Sequence, residues 1–180
     1  MRLSIVALLP LAIVSAMNVG CATVEPITSC DPIGNASPIC GFQNPEDMAA
    51  LPDGRHVLVS EYGGMNGEEA GVISLFDLES QARTVLYEGE QAGAEASWGS
   101  DDCERQAGAA FSPHGIDLSE RSDGSLQLLV VQHGDRESVE FLEVEEGTEG
   151  WQLTWRGCVE FDDKHTLNDI VATPEDGFLV

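Results

Sequence analysis

Positive charge is scarce in this chain. Eight Lys and Arg stand against 32 Asp and Glu, a formal net charge of −24. So few cations cannot form a basic patch, which excludes nucleic acid as a partner because phosphate would be repelled. An acidic surface favours divalent cations and solubility, although most of these carboxylates need be no more than a solvated face. Several catalytic signatures are also missing. There is no G-x-S-x-G nucleophile elbow and no G-x-x-x-x-G-K-S/T phosphate loop. No close Cys or His pair has zinc spacing, and Cys30 and Cys40 lie too far apart for a C-x-x-C knuckle. No helical pattern of convincing length follows the N-terminal apolar run. Hydrophobic residues make up 42% of the chain, which is ample for a core and argues against wholesale disorder.

What is present begins with a targeting segment. Arg2 precedes an almost wholly apolar stretch from Leu3 to Met17, followed by small residues near Gly20-Cys21-Ala22. Residues 1–20 read as a secretory signal, too short and too poorly flanked for a membrane span. Cys21 after Gly20 fits a lipoprotein site, which would attach the chain to a membrane; cleavage after Ala16 or Ala22 by an ordinary signal peptidase is the alternative. The expected localisation is export: periplasmic, outer-membrane-anchored or secreted. Lipidation of Cys21 would leave Cys30, Cys40, Cys103 and Cys158, an even number in a compartment where disulfides persist. Four cysteines allow three pairings, and the sequence does not choose among them.

Residues 21–41, with Pro26, Pro32, Pro38 and Gly34, read as a linker or irregular lead-in that Cys30 and Cys40 could staple. Strand signals then dominate. His56 to Ser60, Val72 to Phe76 and Arg83 to Tyr87 form a meander of short antiparallel strands, with Gly63-Gly64 and Asn66-Gly67 as turns. The Gly-, Ala- and acid-rich tract 88–110 reads as a long loop, of a length often functional. Leu126 to Val131 is a nearly continuous apolar run, as in a strand buried on both faces. Ser138 to Val144 and Trp151 to Trp155 alternate as half-buried strands do.

One pattern occurs three times. A polar pair introduces an apolar run, an acidic Gly turn and a second apolar run. The copies begin at Glu46-Asp47-Met48, His114-Gly115-Ile116 and Asn168-Asp169-Ile170, 68 and then 54 residues apart. Repeats of this period, each holding several short strands, imply an all-β fold of propeller blades. Residues 42–180 would then be the N-terminal half of a six-bladed β-propeller, with about three blades present. The chain ends inside a strand-like segment, Gly177 to Val180, so a fragment is expected, inactive by itself; a smaller self-contained β-fold is the alternative.

Equivalent points of successive blades converge on the central channel. A converging set of Glu46, Asp47, Asn168 and Asp169 supplies the hard oxygen ligands that calcium takes. Adjacent side chains on a strand point to opposite faces, so each pair could serve two stacked ions. Ile116 stands at the matching position and offers only its backbone carbonyl. Asp and Asn before strands also form Asx turns, and it is their recurrence that favours metal. Of the four histidines, His114 opens the second repeat and His133 closes its apolar run. Imidazoles near a metal can act as general base and proton relay. A lone His at a strand end is usually structural, but two at matched ends of one repeat point toward catalysis. His56 and His165 read as surface residues.

The segments NPEDMAALPDG, SPHGIDL, LLVVQHGDRESVEFLEV and LNDIVATPEDGFLV, in this order, resemble the paraoxonase or arylesterase family, within the wider gluconolactonase and senescence-marker group of six-bladed propellers. The resemblance spans about residues 42–180 and implies a calcium-dependent hydrolase of small-molecule lactones or aryl esters. By the same resemblance, Glu46 and Asn168 would bind a catalytic calcium, and Asp47, the Ile116 carbonyl and Asp169 a structural one. His114 and His133 would form a histidine dyad. The family's remaining catalytic-calcium ligands would lie beyond Val180, and Gln132 stands where the family usually has Asn. A sugar lactonase on the same scaffold, or a non-catalytic propeller that binds a ligand, are the rival readings.

Overall fold

The computed structural model describes residues 29–64, 69–89, 98–104, 110–162 and 164–180. The expected signal, Cys21 and much of the long tract after Tyr87 lie outside them. The chain divides into two compact units at Cys40/Gly41. In the first, Cys30 and Cys40 form a disulfide around a bridge in which Ile33 and Ala36 exchange backbone hydrogen bonds. Ile33 and Ile39 are exposed, so the covalent link and the bridge, and not a core, shape this segment.

The second unit is all-β, with no helix among the described residues. Strands β1 (Pro45–Ala50), β2 (His56–Glu61), β3 (Val72–Asp77) and β4 (Arg83–Tyr87) form an antiparallel meander in sequence order. A second sheet holds β5 (Trp98–Gly99), β6 (Pro113–Glu120), β7 (Leu126–Gln132), β8 (Ser138–Gly147) and β9 (Gly150–Glu160), in the order β5-β9-β8-β7-β6. A hairpin of β10 (Val171–Thr173) and β11 (Gly177–Leu179) begins a third. None of these sheets closes on itself. The β-branched and apolar runs anticipated β2, β3, β4 and β7 to within a residue at each end, because short apolar runs between Gly and Asp turns have few other ways to satisfy their backbone.

The tract after Tyr87 departs from a plain loop. Trp98 and Gly99 pair with Gly157 and Cys158 of β9 in parallel. A Cβ at Gly157 would collide with the Trp98 carbonyl, so only glycine lets the two backbones meet. Cys103 and Cys158 form the second disulfide at the same place, which settles the cysteine pairing.

Two apolar clusters lie on either face of the second sheet. One joins Leu58, Ile73, Tyr87, Leu128, Val130, Leu142 and Trp155; the other joins Leu129, Val131, Val139, Phe141, Leu167 and Ile170. Strand β7 is therefore buried on both faces, as its unbroken apolar run requires. Strand β8 differs from the expected half-buried alternation. Its residues from Ser138 to Leu142 are all buried, including Glu140 at 0% exposure. The sequence alternates, yet the polar positions are also covered, because Glu140 is paired. Its Oε1 accepts from Ser138 Oγ (2.7 Å) and Arg136 (3.1 Å), and its Oε2 from Trp155 Nε1 (2.6 Å).

His56 is likewise less exposed than its sequence position suggests. The β1–β2 turn is held by Asp53, which accepts from the backbone N–H of Arg55 and His56 and sits 2.6 Å from His56 Nδ1. Burial works to raise the Asp53 pKa, but the hydrogen bonds from His56, Arg55 and Trp151 outweigh it and hold this carboxyl well below the usual range. The Arg55 guanidinium does the same for Asp77 across the turn, helped by Glu79 and Ser80. Carboxyls depressed in the fold contribute stability that is fully present above their unfolded value, about 3.9, and is lost as pH falls below it. The urea midpoint is expected to drop steadily from about pH 4 downward, with a shallower drop in Asp77→Asn. Identical profiles for the two proteins would refute the Asp77 contribution. His165 is exposed, as expected.

Candidate active site

The heads of the three repeats meet at one place. Strands β1 and β6 pack side by side, and the segment before β10 lies against the start of β6. Gly115 makes this approach possible. A Cβ there would lie 2.6 Å from the Asn168 carbonyl oxygen and 2.6 Å from Asp169 Cα. Buried Ser60 ties the first repeat to the second by donating from its Oγ to the His114 carbonyl at 2.6 Å. The result is an open pocket of about 400 Å³, whose walls include Glu46, Tyr62, His114, His133, Glu137 and Asn168.

His114 and His133 face each other, with ring centroids 5.3 Å apart and planes at 74°. The His114 Nδ1 lies 2.7 Å from the Asn168 carbonyl oxygen, which can only accept, so this nitrogen carries a proton. The same carbonyl accepts the Gly115 N–H at 3.2 Å. On the other side, His114 Nε2 is 3.3 Å from Glu46 Oε2. One residue from each repeat head thus converges on a single imidazole.

His133 leaves the end of β7 at a rigid corner. Gln132, 1% exposed, accepts the N–H groups of Ser112 (2.9 Å) and Gly134 (2.7 Å) and donates to the Ala110 carbonyl (3.2 Å). The His133 N–H itself donates to the Ser112 carbonyl at 3.1 Å. The His133 Nδ1 lies 2.7 Å from Glu137 Oε1.

Tyr62, Glu137, Thr166 and Leu167 line the pocket without having been anticipated from the sequence as site residues. Tyr62 places its ring 6.2 Å from His114 and 6.1 Å from His133, an aromatic wall against both imidazoles. Glu137 pairs with His133. The only sequence signal for Glu137 was its spacing four residues after His133 across a Gly-Asp turn, and in so acidic a chain that spacing is commonplace.

The oxygen residues fall as follows. Asp47 accepts the Ile116 N–H on Oδ2 at 2.9 Å and the Met48 N–H on Oδ1 at 2.7 Å. Asp169 accepts the Ile170 N–H on Oδ1 at 2.8 Å, and the same oxygen would stand 2.9 Å from a Cβ at Gly115. Asp47 and Asp169 therefore flank the Gly115-Ile116 backbone, while Glu46 and Asn168 line the pocket itself. Among the described residues, no three His, Cys, Asp or Glu side chains gather into a metal-holding group. The donors near the repeat heads are nonetheless oxygens of the hard type that calcium takes, carboxylate, amide and carbonyl, and a calcium shell draws on amide and carbonyl oxygens as well as on carboxylates. The donor chemistry fits that ion.

The open pocket thus holds two apposed imidazoles, His133 beside Glu137 and His114 between Glu46 and the Asn168 carbonyl. The family model described as Arylesterase matches residues 38–180, and the chain belongs to the arylesterase family. It is a hydrolase of the arylesterase type acting on small-molecule esters. Comparison with curated proteins gave no match.

Proposed function

We propose that this chain is the N-terminal part of an exported, calcium-dependent hydrolase of aryl esters and lactones, built as a six-bladed β-propeller. One observation carries the reading: the three repeat heads bring Glu46, His114 and Asn168 into contact at one pocket, with the second imidazole, His133, across it. Four-stranded meanders and unclosed sheets support blades of a larger ring. The apolar N-terminal run and two disulfides support export, with Cys21 as the lipid attachment point.

Glu46 and Asn168 would hold a catalytic calcium, and Asp47, the Ile116 carbonyl and Asp169 a structural one. When bound, such an ion supplies Lewis-acid polarisation of a carbonyl and charge stabilisation of an oxyanion. The imidazoles take up and return the proton of the attacking water. Tyr62 offers a flat apolar face on which an aryl leaving group can rest.

Hydrolysis of a panel of aryl esters and lactones by the full-length protein, with and without calcium, tests the reading; no turnover of any of them by that protein would refute it, whereas this chain alone is expected to be inactive. A ligand at about 100 times its Kd stabilises the native state by about 2.7 kcal/mol. Chelation is therefore expected to lower the melting temperature, and Asp169→Ala to abolish the response. Superimposable melting curves with and without chelator would remove calcium from the proposal.

A further inference from the structure

Resting on the aryl-ester reading above, we infer that Asn44 is a positioning residue for Tyr62 and, through that ring, sets how well the pocket takes the aryl group of a substrate. Tyr62 stands just beyond β2, whose last ladder pairs are Pro45 with Glu61 and Glu61 with Val72. The ladder therefore does not hold residue 62, and its ring needs another restraint. Asn44 supplies one on each side. Its backbone carbonyl accepts the Tyr62 N–H at 3.0 Å, and its Nδ2 donates to the Gly63 carbonyl at 2.6 Å. One bond lies before the Tyr62 Cα and the other after it, so the residue is held between two ties to the same partner. Asn44 reaches both with a φ of 47°, in the left-handed region. Asparagine enters this region more readily than most residues and still carries a donor; glycine would enter it without one.

The anchor is itself anchored. The Gln43 N–H donates to Glu61 Oε2 at 2.7 Å, and Oε1 of this fully buried carboxylate accepts from Ser74 Oγ (2.5 Å) and Arg83 Nε (2.7 Å). Phe42 packs edge-on against Phe76, with ring centroids 5.7 Å apart. On the other side, Gly63 lies so close to the returning chain that a Cβ there would stand 2.4 Å from the Glu69 carbonyl oxygen. The exit of β2 is thus clamped from two directions, with the Tyr62 ring 6.2 Å from His114 and 6.1 Å from His133. A ring fixed in advance gains more from a flat ligand than a mobile one, because its rotamer freedom was already lost in folding. An aryl group can use that face, whereas a saturated lactone has no π system to lay on it. The hold of Asn44 on residue 62 therefore bears on the choice between the two substrate types.

The test uses the full-length protein with calcium, phenyl acetate and δ-valerolactone as substrates, and phenol as a ligand that is not turned over. Wild type is compared with Tyr62→Ala, with Asn44→Gly, which keeps the left-handed backbone but not the donor, and with Asn44→Asp, which sets a carboxylate against the Gly63 carbonyl. The ratio of kcat/KM for phenyl acetate to that for δ-valerolactone is expected to fall about tenfold in Tyr62→Ala and about threefold in Asn44→Gly. Asn44→Asp should approach Tyr62→Ala. In both Asn44 variants the change should be carried by the KM for phenyl acetate and not by its kcat. Adding Asn44→Asp to Tyr62→Ala should lower the ratio no further, since both act through one ring. Phenol affinity, read by NMR titration, should follow the same order. An unchanged ratio in both Asn44 variants, or in Tyr62→Ala, overturns the inference. So do equal losses on both substrates, since Asn44 would then brace the whole pocket, Glu46 included. A wild type that hydrolyses neither substrate refutes the hydrolytic reading, while the order of phenol affinities still decides whether Asn44 acts through Tyr62.

Discussion

Replacing His133 by Gln is expected to lower aryl-ester hydrolysis by about 10²–10⁴-fold, the usual contribution of a positioned general base. Glutamine roughly preserves the volume at the end of β7, so the Gln132 corner and the apolar cluster beneath it should survive. Lactone hydrolysis should suffer less, because a calcium-polarised carbonyl demands less of the base. Replacing His114 as well should add little beyond the first loss, since groups acting on one proton are strongly non-additive. If ester hydrolysis survives in the double variant, the two rings only pack against Tyr62 and the functional reading of the pocket must be withdrawn.

The largest effect on stability is expected at Glu140→Ala. This carboxylate is fully buried, 15 residues from Trp155 and on the neighbouring strand, where it accepts the indole N–H, the Ser138 hydroxyl and the Arg136 guanidinium. Its removal takes this acceptor from the Trp155 indole and the Ser138 hydroxyl, and one of several partners from Arg136, which keeps Glu160 and the Glu104 carbonyl. Taking the acceptor from a buried donor costs about 1–3 kcal/mol per group, and the remaining Glu160 carboxylate keeps Arg136 from adding an uncompensated charge. In denaturant the midpoint should fall at unchanged slope, and Glu140→Gln should lose less because two of the three donors keep an acceptor. A loss under about 1 kcal/mol in Glu140→Ala would place this pair with solvent-exposed ones.

The fold was legible where hydrophobic period and turn chemistry agree. The Asp53-Gly54 and Asp123-Gly124 turns precede β2 and β7, and burial on both faces of β7 followed from its unbroken apolar run; the expected Asn66-Gly67 turn lies outside the described residues. The pairing of β5 was hidden, because a two-residue strand in a Gly- and acid-rich tract has no period at all. Its partner is chosen by close backbone approach at Gly157 and by a disulfide. Burial along β8 was misjudged for another reason: alternation reports which side chains are polar, and Glu140 is polar yet covered because its partners are buried with it. At the site, the repeat spacing pointed to Glu46, His114 and Asn168 as residues that meet. Tyr62 and Glu137 belong to no repeat position. They reach the pocket from the exits of β2 and the β7–β8 turn, and only three-dimensional placement distinguishes Glu137 from the 31 other acidic residues.

The oxygen that orients His114 belongs to the peptide backbone of residue 168, and not to its side chain. No substitution of Asn168 removes that acceptor, since every residue type carries the same backbone carbonyl. An alanine scan would thus register residue 168 only through its amide and would miss its hold on the imidazole. Sequence drift at this position could alter what the pocket binds while leaving the ring aimed as before. Conversely, lengthening the segment between the end of β9 at Glu160 and Asn168 by one residue would displace that carbonyl without changing any side chain in the pocket. Tolerance to substitution and intolerance to changes of length would be the mark of a site whose orientation is written in the main chain.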